Sequence, residues 1–108
     1  MILSTTDSIA GKRVVQTLGL VRGNTIRAMH IGNDITAIFR HVVGGEIGEY
    51  TKLMGESREQ AIDRMVADAA ELGADAIIGV NFCTSELLAG AAELVAYGTA
   101  VKLAEDVG

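Results

Sequence analysis

The sequence contains no proline and no tryptophan, only one cysteine, and aromatic residues make up just 4 % of its 108 positions. Without proline there are no rigid linkers, and thirteen glycines instead supply tight turns and close backbone approaches. Without large rings, the core must be packed from Ala, Val, Ile, Leu and Met. The lone Cys83 has no internal disulfide partner, which fits a reducing compartment. Cations are also scarce: nine Lys and Arg stand against fourteen Asp and Glu, for a net charge of −5. Nucleic acid and anionic membrane surfaces both select for basic faces, so neither is an expected partner. No run is apolar for long enough to span a bilayer, and Met1-Ile2-Leu3-Ser4-Thr5-Thr6 lacks the charged and apolar regions of a leader. By elimination, a cytoplasmic location is expected.

What remains is a chain that is 49 % hydrophobic and one domain in length, 1–108. Val14 to Val21 is rich in β-branched residues and meets a turn signal at Arg22-Gly23-Asn24, so it reads as a strand. Thr25 to His30 reads as a short strand returning beside it. Asn33-Asp34 has the chemistry of a helix N-cap, followed by an apolar stripe of Ile35, Ile38, Phe39, Val42 and Val43, with Gly44-Gly45 as the stop. Ile47 to Leu72 repeats the helical pattern. Gly55 interrupts it, and Ser57 with Gln60 has the spacing of a capping box, so a break or restart is expected there. Ala76 to Cys83 reads as a strand with Ile78, Val80 and Phe82 on one face and Ile77, Gly79, Asn81 and Cys83 on the other. Thr84 to Glu93 reads as a loop. Leu94 to Leu103 is the last strand, with Leu94, Ala96, Gly98 and Ala100 opposite Val95, Tyr97, Thr99, Val101 and Leu103. The acidic tail Ala104 to Gly108 reads as loose.

The implied fold class is α+β: two layers, a mainly antiparallel sheet with helices on one face. A sheet wetted on its free face should alternate apolar and polar residues. These strands do not. Val14-Val15 and Ile77-Ile78 are adjacent apolar pairs, and both faces of the last strand are apolar. A second copy of the chain is the simplest cover, so a homo-oligomer is expected.

The residues also resemble the YbjQ-like family, known as UPF0145 or DUF74 and described as heavy-metal-binding. The matching pieces are Ser4-Thr5-Thr6, Gly19 through Gly23, Asp34, Arg40, Val43-Gly44-Gly45, Gly48, Tyr50, Arg58, Ala61, Leu72-Gly73-Ala74-Asp75-Ala76, Gly79 and Gly98-Thr99-Ala100-Val101. The resemblance implies a dodecin-like subunit and a ring-forming homo-oligomer, a pentamer or two stacked pentamers. It brings no established activity. Beyond Gly79, family members often carry acidic residues where this chain has Asn81 and Cys83, and the segment Glu86 to Glu93 is shorter and more apolar than is usual in the family.

Three kinds of site are conceivable from the residues present. For a metal ion as cofactor, Cys83 and Asn81 are the candidate ligands. Cys83, His30 and His41 are the soft or borderline donors, yet none forms a C-x-x-C or H-x-x-x-H pair, and an unpaired cysteine ordinarily acts as a small buried hydrophobe. For an anion or small ligand, Arg40, Gly44, Gly45 and Tyr50 lie around the start of the long helix. Glu46 opposes this, and the Lys-Ser/Thr of a phosphate-binding loop is missing. For catalysis, no spacing assembles a nucleophile, base and orienter, so no catalytic residue is assigned. The expected role is a homo-oligomeric binding or scaffold protein holding a metal ion or small ligand between subunits. The alternative is a small enzyme whose active site is completed between subunits.

Overall fold

The computed structural model describes residues 1–28, 48–88 and 91–106; the side chains of 28, 48–50, 87 and 88 are outside the description. Within it, β1 (Ile2–Leu3) and β2 (Lys12–Ala28) precede α1 (Gly48–Glu71), which is followed by β3 (Ala76–Leu88) and β4 (Ala91–Glu105). The strands form one sheet in the order β1-β3-β4-β2. The β3–β4 and β4–β2 pairs are antiparallel, and β1 runs parallel to the start of β3. The sheet is therefore mixed, with its two long pairings antiparallel as expected.

Several sequence expectations are corrected by this arrangement. Arg22-Gly23-Asn24 is no turn: β2 runs through it without a break for 17 residues, so the separate strand expected from Thr25 is the second half of β2. The reason lies in packing. A Cβ on Gly23 would lie 2.2 Å from the Ala61 carbonyl oxygen and 2.4 Å from Met65 N, so glycine is there to admit the helix backbone. Likewise α1 passes through Gly55 without a restart. Ser57 and Gln60 do not cap it; they reach across to β2. The helix ends as expected at Gly73 (φ 74°), where Gly73 N–H donates to the Ala70 carbonyl and Ala74 N–H to the Ala69 carbonyl.

The expected loop Thr84 to Glu93 is mostly strand. β3 continues to Leu88, and β4 begins at Ala91 in register with it. The tail is also partly ordered: Glu105 pairs with Lys12 on β2, and Asp106 N–H donates to the Gly11 carbonyl. The expected helix of residues 33–43 lies outside the described residues, as does His30.

One register shift reassigns the faces of β3. Gly79 adopts φ 60° at an irregularity between Ile78 and Asn81. Ile77 and Val80 consequently share the helix-side core, with Phe82 next along that face; Ile78, Asn81 and Cys83 lie on the far face. The faces of β4 agree with the sequence reading. The core is formed by Val21, Ala61, Met65, Ala69, Ile77, Val80, Leu94, Ala96 and Ala100.

The close approach at Gly23 yields a paired prediction. Gly23→Ala should destabilise by about 3 kcal/mol, since the clash is with backbone and nothing can swing aside. Gly55→Ala meets only the end of Arg58 at 4.0 Å and should stabilise by about 0.5–1 kcal/mol. Urea midpoints of the two variants check the opposite signs.

Candidate functional site

Helix α1 lies chiefly over β2, less over β4 and barely over β3. Its polar side chains fasten it along the outer side of β2. Asp68 Oδ2 accepts the Arg22 N–H at 3.2 Å, and Arg64 Nη1 donates to the Asn24 carbonyl at 2.6 Å. Deeper in, the buried Thr25 hydroxyl donates to the Ser57 carbonyl at 3.1 Å. Arg27 donates from Nε to Ser57 Oγ at 3.0 Å and from Nη2 to Gln60 Oε1 at 2.6 Å. The middle of an edge strand is thus closed by the helix it carries, one of the ways proteins blunt an exposed edge.

The opposite face is closed at one end, where Val101 and Ala76 are fully buried, and open among the described residues from Thr99 toward Ile26. Strand alternation and register lay its side chains in cross-strand rows. One row is Leu20, Thr99 and Ile78. The next is Arg22, Tyr97 and Asn81, and the next Asn24, Val95 and Cys83. Leu20 is 65 % exposed, Ile26 59 % and Tyr97 37 %. Phe82 is 41 % exposed on the helix side, beyond the reach of α1.

Of the metal candidates, Asn81 and Cys83 occupy adjacent rows of this free face, and both are exposed. The expectation of a buried cysteine is corrected: within one chain the Cys83 thiol is open to solvent. Among the described residues, no three His, Cys, Asp or Glu side chains are gathered closely enough to hold a metal. Of the anion candidates, Arg40, Gly44, Gly45 and the neighbouring His41 lie outside the described residues. Tyr50 is in the first turn of α1, its side chain also outside them.

The Arg22–Tyr97–Asn81 row was missed by sequence reasoning. Its signal is the Tyr97 position on the far face of β4, but the shift at Gly79 hides its alignment with β3. Two shallow hollows are also present. One, along Lys52, Glu56, Arg58, Glu59 and Gln60, is a mixed-charge helix surface. In the other, beside Ile2 and Leu103, Asp75 Oδ2 accepts the Leu103 N–H at 2.9 Å and Lys12 pairs with Glu105, so its polar groups are engaged. No helix among the described residues is long and apolar enough to cross a membrane.

This architecture is a small α+β unit, a mixed four-stranded sheet with a helix on one side. It is similar to a crystal structure of a protein of unknown function from the DUF74 family of Pediococcus pentosaceus, with a TM-score of 0.67 and 17 % identity over 96 % of this chain and 98 % of that one. In sequence, it is 58 % identical to a UPF0145 protein of Methanosarcina acetivorans over 95 % of this chain and 97 % of that one. It is 57 % identical to one of Halorubrum lacusprofundi over 95 % and 99 %. The family model described as "Putative heavy-metal-binding" matches residues 1–104. The chain belongs to the UPF0145 family, the YbjQ-like family that the sequence resembles.

The helix clamp on β2 is testable by amide exchange. In the double variant Asp68→Ala with Arg64→Ala, the Arg22 N–H loses its acceptor, and its exchange should accelerate relative to Val21 and Gly23, which bond to β4. Equal acceleration at all three would mean that the helix docks by its apolar side alone.

Proposed function

We propose that the chain is the subunit of a self-assembling binding or scaffold protein. Copies join in a ring, which the family resemblance puts at a pentamer or a pair of pentamers. A metal ion or small ligand is held where subunits meet. The observation that carries this reading is the apolar free face of the sheet. Leu20, Ile26 and Tyr97, with the half-buried Ile78 and Val95 between them, form a surface suited to burial against another copy. The family description favours a metal as the ligand. Cys83 and Asn81 lie on that face, and each subunit would bring its own pair to a shared boundary. Cys83 supplies a soft donor, whereas Asn81 is a weaker ligand than a carboxylate.

Native mass spectrometry of the protein purified without an affinity tag tests the assembly directly. The expected result is a mass that is a multiple of the 11.3 kDa chain, falling toward the single chain in Leu20→Asp with Ile26→Asp while far-UV circular dichroism is kept. A wild-type protein that stays a single chain at micromolar concentration overturns the proposal. Elemental analysis tests the metal part. Stoichiometric metal that is lost in Cys83→Ser is expected; substoichiometric metal unchanged by the substitution removes the metal and leaves the scaffold.

A further inference from the structure

The sheet has two stretches of edge without a backbone partner among the described residues, and they lie at diagonally opposite corners. On one side, β2 is the border strand. Its middle is occupied by Asp68 and Arg64 at Arg22 and Asn24, but no partner outside the sheet bonds residues 13–20. On the other side, β1 and the residues after it cover only the start of β3. Ser4 N–H donates to the Ile77 carbonyl, Gly79 N–H to the Thr6 carbonyl and Val80 N–H to the Ser4 carbonyl, and from Asn81 to Leu88 the outer side of β3 has no backbone partner among the described residues. The register sets 12–20 beside the end of β4 that pairs with Lys12, while 81–88 runs beside the opposite end.

We infer that these two corners are the complementary halves of a head-to-tail contact between copies, residues 12–20 of one subunit adding as a strand to residues 81–88 of the next. This rests on the self-assembly proposed above and names how it is built. The segments are close in length, nine residues against eight, or about 30 and 26 Å of strand at ~3.3 Å per residue, the first shortened by irregularities at Val14/Gln16 and Thr17/Gly19. They also match in charge. β2 carries Lys12, Arg13, Arg22 and Arg27 and no acidic residue, in a chain whose net charge is −5. Residues 81–88 carry Glu86 and no cation, and Glu93 stands in the next strand beside Ser85. Antiparallel pairing brings Arg13 to the Glu86 end, beside a Lys12 already paired with Glu105, whereas parallel pairing would leave Arg13 and Glu86 apart, so the charges select the antiparallel direction.

The hydrogen-bonding phase of β3 agrees. Because Arg22 N–H and the Asn24 carbonyl face away from β4, antiparallel alternation turns Tyr97 and Val95 toward β3, where they meet Asn81 and Cys83. Phe82, Thr84 and Glu86 therefore point their N–H and C=O groups outward, as Val80 does where it donates to Ser4. The contact uses different surfaces on the two partners, so repeating it generates a closed ring when the rotation permits and an open filament when it does not. It also removes the liability of a long bare edge.

Native mass spectrometry and sedimentation of Thr84→Pro give the sharpest test. This proline removes one outward N–H and leaves the β4 ladder intact, a position at which an edge strand tolerates it. The expected result is a folded protein by circular dichroism whose assembly is lost. The charge exchange is the second arm, and it decides the matter if Thr84→Pro fails to fold. Glu86→Lys and Arg13→Glu should each raise the dissociation constant by roughly tenfold or more, and the double variant should restore much of the loss. If Glu86→Lys and Arg13→Glu, and Thr84→Pro where it folds, all keep the wild-type mass, the edge contact is overturned while self-assembly stands. A wild-type protein that is itself a single chain overturns both.

Discussion

The contact between the α1 backbone and Gly23 is the constraint from which the rest of the structure follows. It lets the helix sink onto β2, and the side chains at that depth then find partners on the strand: Ser57 with Thr25 and Arg27, Gln60 with Arg27, Arg64 with Asn24, and Asp68 with Arg22. A helix seated this far to one side of a four-stranded sheet leaves β3 largely without cover from it. The exposed Phe82 is a consequence of that offset, whereas Leu20, Tyr97 and Ile26 stand on the face turned away from the helix.

The sheet is also longer than the helix can reach. β2 and β4 extend for 17 and 15 residues, and the described residues measure 58 × 26 × 16 Å. Its shortest dimension is that of two packed layers, and its longest is about that of a single 17-residue strand at ~3.3 Å per residue. Such a ribbon buries little surface for its length.

The legible parts of the fold were those where burial enforces a pattern. The Leu94 to Leu103 faces and the stop at Gly73 read correctly because β4 is central and the helix end needs a left-handed residue. Arg22-Gly23-Asn24 has the composition of a turn, and only the helix packed on it shows why the strand continues. Ser57 and Gln60 share a cap's spacing by coincidence; their partners lie some thirty residues upstream on β2. The segment Thr84 to Glu93 carried no strand signal because its β3 part, Thr84 to Glu86, is exposed on both faces and no core imposes alternation there. The candidate site was legible only in part: Asn81 and Cys83 do share a face, but the irregularity at Gly79 determines which one, and that geometry leaves no trace in spacing.

The outermost rung of the sheet joins Lys12 to Glu105, residues 93 apart in sequence, while β3 and β4 face each other across a short hairpin. These pairings differ greatly in the entropy of closing the intervening chain. The hairpin can form locally and early, and β2 must then be captured from across nearly the whole polypeptide. The chain should therefore fold at the pace of that capture, slowly for its size, with the strand that carries four of the nine basic residues arriving last.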